Sequence, residues 1–235
     1  MNTSVVSIER WSRVHAGAML SATLVCLLLG RAWPLGVAGL LSFGGYVLSN
    51  RPLWQEHSRW GGPANLVTSL RVLLLCWLAG TTLPPLATTG LALGVLVSDG
   101  LDGYLARRYG VQSLFGAYFD KETDAFYVMV LSTMLYTTAL APAWVLGLGL
   151  IRYVYVLLLI YFKPPTRSES RSYLGQVIAV AVMLALAAGF ILPAAGRLPV
   201  LAGTGLLVLF SFGRSFAGLR HVRNDAVDFS KTLQR

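Results

Sequence analysis

Apolar residues dominate eight blocks of the chain, at 16–30, 34–49, 66–82, 84–106, 116–140, 143–162, 174–193 and 198–218. A helix needs about 20 mostly apolar residues to cross a hydrocarbon core of about 30 Å. The later blocks therefore predict membrane-spanning helices. The first two are short for full spans and predict a tilted pair, or a re-entrant or interfacial hairpin. Pro84, Pro142, Pro193 and Pro199 fall near the proposed helix ends, where a missing N–H is tolerated. No repeat or low-complexity tract breaks the pattern. No clear small-residue cleavage site separates the first block from a soluble domain, so it does not read as a cleavable leader.

The polar connections give an orientation. Arg10 and Arg13 precede the first block, Arg51 and Arg59 lie between the second and third, and Arg107 and Arg108 follow the fourth. Lys163, Arg167 and Arg171 follow the sixth, and Arg220, Arg223, Lys231 and Arg235 follow the eighth. The alternate connections hold only Arg31 and Arg197. Basic residues concentrate in cytoplasmic loops, so this alternation predicts an even number of spans, both termini cytoplasmic and the 107–115 loop on the cytoplasmic side.

Composition narrows the class. Of 235 residues, 55% are hydrophobic and 12% charged, with a mean hydropathy of +0.64. Disorder requires the opposite balance, and one soluble domain of this length could not hide so much apolar surface. The fold predicted is an all-α polytopic membrane protein. The net charge of +9 then reads as cytoplasmic loops facing anionic headgroups, not as a nucleic-acid footprint. Cys26 and Cys76 lie inside apolar blocks, which argues against a disulfide framework or a cysteine metal site. Arg outnumbers Lys by 16 to 3, a compositional hint of a GC-rich bacterial genome and hence of a bacterial inner membrane.

Against this background the acids stand out. Five of the ten lie between Asp99 and Asp124. An Asp at the centre of a membrane helix costs roughly 2.5–3.5 kcal/mol on insertion scales, so such a group needs a polar cavity, cationic partners or metal. Asp99 and Asp102 are three apart and share a helix face; Gly116, Asp120 and Asp124 are four apart and share another. A short loop makes the two helices antiparallel neighbours, and their acidic faces can converge at one membrane–cytosol boundary. Four carboxylates without His or Cys form a hard oxygen site, suited to Mg²⁺, Mn²⁺ or Ca²⁺ and not to Zn²⁺. Two divalent ions would offset the four charges, a device that stabilises phosphoryl-transfer charge.

The stretch from Asp99 to Asp124 carries D-x2-D-G-x2-A-R-x8-G-x3-D-x3-D in full. In this it resembles the CDP-alcohol phosphotransferase family. Upstream, Pro63-Ala-Asn65-Leu-Val-Thr68-Ser-Leu-Arg71 is similar to the P-N-x-x-T-x-x-R stretch that often opens the family's first core helix, with one residue inserted after the proline. The resemblance covers roughly residues 63–218. It implies a six-helix transmembrane core, here preceded by a pair of hydrophobic segments where the family often has a short amphipathic helix. The chain then divides into an extension over 1–60, a catalytic membrane domain over 61–218 and a basic cytoplasmic tail over 219–235.

The resemblance also implies roles. Asp99, Asp102 and Asp120 look like metal ligands for Mg²⁺ or Mn²⁺, two ions per site, with Asp124 close to the second. Asp124 further resembles the family's proposed general base. Gly103, Ala106 and Arg107 look like part of the CDP site, Asn65 and Thr68 like further polar contacts to the nucleotide, and Gly116 would let the nucleotide approach the backbone closely. The implied reaction is transfer of a substituted phosphate from a CDP-linked donor to an acceptor hydroxyl, with CMP leaving. CDP-diacylglycerol is the favoured donor, because a lipid donor explains a site at the membrane boundary. The acceptor is a small alcohol or phosphorylated alcohol, and a homodimer is implied.

Other polar residues have more than one reading. Arg152, near the middle of an apolar block, contacts an anionic acceptor or forms an internal ion pair, the Asp cluster being one partner. Arg167 and Arg171 would complete an acceptor-phosphate pocket or anchor the loop to headgroups. Glu122 points off the acidic face and reads as a surface or loop partner of Lys121. His15, His57 and His221 read as interfacial, and Trp54, Trp60 and Trp144 as an aromatic belt. Gly90-x3-Gly94 permits close helix contact within the molecule. Arg214 would snorkel to the cytoplasmic surface. Transfer from a CDP-alcohol to diacylglycerol is the enzymatic alternative. A transporter would spread its acids along a transmembrane path, and a non-catalytic lipid-binding relative would not need the intact acids.

Overall fold

The computed structural model describes residues 3–55, 61–109, 113–162 and 173–232; side chains at 3–6, 101–102, 104–107, 159–162, 173 and 214–232 fall outside that description. All regular structure among the described residues is helical. The long elements are α1 (Thr3–Leu29), α2 (Trp33–Ser49), α4 (Gly62–Gly80), α5 (Pro85–Arg108), α6 (Leu114–Thr137), α7 (Leu146–Phe162), α8 (Tyr173–Ala188) and α9 (Ala194–Thr232). A four-residue helix, α3 (Arg51–Trp54), follows α2, and a 3₁₀ turn at Ala143–Val145 leads into α7. Backbone groups in hydrocarbon must be satisfied within their own segment, and the eight apolar blocks each meet that demand as a helix.

Two elements extend far beyond their apolar blocks. α1 starts at Thr3 and takes in the polar stretch Ser7–Arg13, so the first block is no short hairpin arm. α9 runs to Thr232, with Pro199 inside its first two turns rather than at its start. Ser7–Leu29, Gly62–Gly80 and Ala194–Gly213 are each long and apolar enough to cross a membrane; Trp33–Ser49, Ala143–Leu158 and Leu174–Ala188 are apolar but shorter.

Local chemistry sets the ends. α1 stops at Gly30, whose φ of +63° is open to glycine at little cost, and the Arg31 N–H turns back to the Cys26 carbonyl at 3.2 Å. Pro34 and Pro63 sit in the first turns of α2 and α4, where the proline ring presets φ. Ser113 caps α6 by accepting from the Gly116 N–H at 3.0 Å, the role for which serine is favoured.

α6 is the hub. Its buried face includes Phe115, Phe119, Phe126, Tyr127, Met129, Val130 and Leu131, and it packs against α1, α2, α3, α4, α7 and α8. Glycines allow close approach on two sides. A Cβ at Gly149 of α7 would lie 2.7 Å from the Met129 Cα, and one at Gly36 of α2 would lie 2.6 Å from the Cys76 carbonyl oxygen of α4. Gly90 and Gly94 do not serve this way: a Cβ at either would meet nothing within 4 Å. That glycine pair lies on the outer face of α5 beside the exposed Leu86 and Val97, so the contact expected within the molecule does not form. Leu28, Leu41, Leu48, Leu86, Val97, Leu206 and Leu209 all face outward. Such an apolar exterior suits a lipid solvent, and the protein is a membrane protein.

Candidate active site

Three helices converge on one polar point. α4 contributes Arg71, α5 contributes Asp99, and α6 contributes Asp120 and Asp124. One oxygen from each of the three carboxylates lies within 4.8 Å of the others. Arg71 is at their focus with 1% of its side chain exposed. Its Nη1 donates to Asp99 Oδ1 at 2.8 Å and to Asp120 Oδ1 at 2.9 Å, and its Nη2 donates to Asp124 Oδ1 at 2.6 Å. Charge-assisted pairs of this kind are shorter and stronger than neutral ones. Each carboxylate keeps about a quarter of its side-chain surface open, so the cluster is reachable from outside while the cation beneath it is sealed.

The site lies near the α5–α6 connection, since Asp99 is in the last half of α5 and Asp120 in the first third of α6. The convergence expected from the i, i+3 and i, i+4 spacings is therefore present for Asp99, Asp120 and Asp124. Asp102 lies on α5 one turn from Asp99, with its side chain outside the described residues. Clustered oxygen donors without nitrogen or sulfur fit Mg²⁺ or Mn²⁺, and the guanidinium at their focus shows that the carboxylates are aimed at positive charge. The cluster can therefore hold a divalent cation on its open side.

The residues implied in nucleotide binding lie around the same end. The Asn65 Nδ2 donates to the Gly61 carbonyl at 2.8 Å, and the Thr68 hydroxyl donates to the Ala64 carbonyl at 3.1 Å. Thr68 is buried one turn before Arg71. Gly116 faces Asn65: a Cβ there would lie 2.9 Å from Asn65 Oδ1. The two motifs, far apart in sequence, thus touch through a glycine and an amide. Gly103 is half-buried on α5, whereas the side chains of Ala106 and Arg107 are outside the described residues, as are Arg167 and Arg171 altogether.

Arg152 and Glu122 require correction. Glu122 is not a surface partner of Lys121; it is 1% exposed and pairs with Arg152, Nη2 to Oε1 at 2.8 Å. The same Oε1 accepts from the Ser12 hydroxyl at 2.8 Å. The physical reason is rotation. Glu122 is two residues, about 200°, from both Asp120 and Asp124, which turns it away from α4 and toward α1 and α7. Arg152 is in an internal ion pair, but with Glu122 and not with the Asp cluster. His15 is buried rather than interfacial, its Nδ1 2.8 Å from the Ser42 hydroxyl and its ring stacked on Trp11. His57, His221 and Trp60 fall among residues or side chains outside the description. Trp144 is exposed as a belt residue would be, whereas Trp54 packs edge-on against Phe115.

Arg71 is the site residue that the motif spacing alone did not single out. The signal was present, as an arginine inside the apolar block 66–82 closing the P-N-x-x-T-x-x-R-like stretch; an unpaired cation there is costly and must find acids. The sequence model of the family described as CDP-alcohol phosphatidyltransferase matches residues 62–211. That span holds α4 through most of the apolar part of α9 and every residue of the acidic cluster. No solved structure matches the chain.

Proposed function

The chain belongs to the CDP-alcohol phosphatidyltransferase family, and from that premise we propose that it transfers a phosphatidyl group from CDP-diacylglycerol to the hydroxyl of a small alcohol or phosphorylated alcohol, releasing CMP. Family membership carries the coarser statement, a transferase of substituted phosphate groups acting between a CDP-alcohol and an alcohol. The observation that carries the reading is the convergence of Asp99, Asp120 and Asp124 in one accessible cluster.

The acceptor hydroxyl attacks the phosphorus that bears the lipid. A new P–O bond forms, the bond to the CMP oxygen breaks, and the hydroxyl proton passes to the Asp124 carboxylate acting as general base. Asp99, Asp102, Asp120 and Asp124 would hold two Mg²⁺ or Mn²⁺ ions, which supply charge stabilisation to the diphosphate as it cleaves. Family members generally use divalent metals. Asn65, Thr68, Gly103, Ala106, Arg107 and Gly116 form the CDP site in this reading, with Gly116 keeping the wall beside Asn65 thin. Arg167 and Arg171 are acceptor-phosphate contacts. Arg152, held in its pair with Glu122, is not assigned to the acceptor. The proposal further holds that the protein works as a homodimer in a bacterial inner membrane, with the site and both termini cytoplasmic. The exposed apolar surface and the loop-charge alternation support the membrane part.

The test is CMP release by the purified protein in detergent with Mg²⁺ or Mn²⁺, across a panel of acceptors. We expect release from CDP-diacylglycerol with at least one acceptor, and its loss in Asp124→Asn. Release only from a soluble CDP-alcohol with diacylglycerol as acceptor would reverse the donor assignment. No release with any acceptor, together with an Asp124→Asn protein indistinguishable from the parent, would sink the reading.

A further inference from the structure

The segment before residue 62 lies outside the family match, yet it is bound to the helix that carries two of the acids. Three kinds of contact do this. Ser12 of α1 donates to the buried Glu122 of α6, which Arg152 of α7 holds from the other side. Tyr46 of α2 donates its hydroxyl to the Phe115 carbonyl at 3.1 Å and stacks on the Phe115 ring, centroids 4.4 Å apart and planes 8° from parallel. Trp11 of α1 stacks on Tyr46, and Trp54 of α3 meets both Phe115 and Phe119 edge-on. These contacts fall at Phe115, Phe119 and Glu122, on the side of α6 away from Arg71. They interleave in sequence with Gly116, Asp120 and Asp124. A helix gripped at successive turns on one face has its rotation fixed on the other.

The node is also more polar than simple packing requires. Glu122 Oε2, His15 Nε2 and Tyr153 Oη are buried without a hydrogen-bond partner in the protein. Leaving such groups buried without a partner is costly, and replacing a buried ion pair with apolar residues of similar volume is often neutral or stabilising. Stability alone is a poor reason to build it. A hydrogen-bonded carboxylate has instead a directional demand that apolar contacts lack, met here by Ser12 and Arg152.

We propose that α1–α3 positions the acid-bearing helix α6, and that Glu122, held by Ser12 and Arg152, is the positioning residue through which it does so. The proposal rests on the transferase reading for its activity arm only. Its direct readout is Mn²⁺ affinity of the resting protein, measured by electron paramagnetic resonance. Two variants are needed: Ser12→Ala, which removes one hydrogen bond, and the paired Glu122→Leu with Arg152→Leu, which removes both charges and leaves no buried ion unpaired. Misplaced reacting groups lose rate steeply with distance. The paired variant should therefore keep the parent's melting temperature, bind Mn²⁺ at least about threefold more weakly, and lose on the order of tenfold or more in kcat. The donor KM should stay within about twofold of the parent's. Ser12→Ala should move the same quantities in the same direction by less, and Ser12→Thr, which restores the hydroxyl, should recover them. Parental Mn²⁺ affinity in both variants overturns the proposal. So does a loss of affinity that only follows a fall in melting temperature. Should the paired variant fail to fold, Ser12→Ala and Ser12→Thr decide. The acceptor panel runs alongside: if the parent releases no CMP with any acceptor, the transferase reading falls while the Mn²⁺ arm still tests the positioning role.

Discussion

Replacing Arg71 with methionine keeps the stem's bulk and removes the guanidinium that pairs with Asp99, Asp120 and Asp124. The guanidinium is 1% exposed and pairs with these carboxylates at 2.6–2.9 Å. Without it, three carboxylate oxygens within 4.8 Å of one another face each other directly. At about 4 Å and an effective dielectric of about 20, two like charges repel by about 4 kcal/mol. The carboxylates relax and take up solvent, so the full sum is not realised; breaking a buried pair by removing one partner costs about 3–5 kcal/mol. On the scaling of soluble domains of this size, about 2–4 °C per kcal/mol, the variant should melt roughly 6–20 °C below the parent in detergent with EDTA. A divalent ion that binds the native cluster stabilises it by mass action, and in the variant that ion replaces the missing charge. Mg²⁺ or Mn²⁺ should therefore raise the melting temperature more in Arg71→Met than in the parent. Equal melting temperatures in EDTA, with equal increments on adding divalent ion, would refute the claim that Arg71 neutralises this cluster.

Other substitutions test separate parts of the structure. Gly149→Ala puts a methyl 2.7 Å from the Met129 Cα; overpacking at backbone costs about 1–3 kcal/mol, and a lower melting temperature with unchanged donor KM should follow. Gly116→Ala meets the side chains of Asn65 and Ser113 at 2.9 and 3.3 Å and should raise the KM for the CDP donor more than it lowers the melting temperature. Chelation of divalent ions should abolish CMP release, with Mg²⁺ or Mn²⁺ restoring it and Zn²⁺ failing, because the described ligand set is carboxylate oxygen alone. Tyr46→Phe removes the bond to the Phe115 carbonyl and should lower stability by about 1 kcal/mol, read as a shift in detergent melting temperature.

The family match spans the helices that carry the α4–α6 cluster, and the packing of α1–α3 joins the extension to α6, which bears two of its acids, rather than leaving it as a separate anchor. Among the described residues, the most buried helix is the one that carries two of the acids. A rigid hub is a suitable seat for groups that must hold fixed distances from a cation while the surrounding lipid-facing helices remain apolar.

The sequence by itself determined the helices and the acidic face. In hydrocarbon a backbone has few alternatives to the helix, so long apolar blocks translate into elements. Spacings of three and four residues translate into shared faces whatever the neighbours are; this is why Asp99, Asp120 and Asp124 were legible as a cluster. Helix limits were less so: the polar start of α1 packs on α2 and α6 through Trp11 and Ser12, contacts that hydropathy does not report. Only the tertiary structure decided what the remaining charges meet. Arg71 is 28 residues from Asp99 and 53 from Asp124, and Ser12 is 110 from Glu122. No local period links such positions: α4 meets α5 at Asp99, and the pairings at Asp124 and Glu122 exist because α6 presents opposite faces to α4 and to α1. The same geometry left Gly90 and Gly94 on the outside, since a motif that permits close approach does not say which helix, if any, will approach.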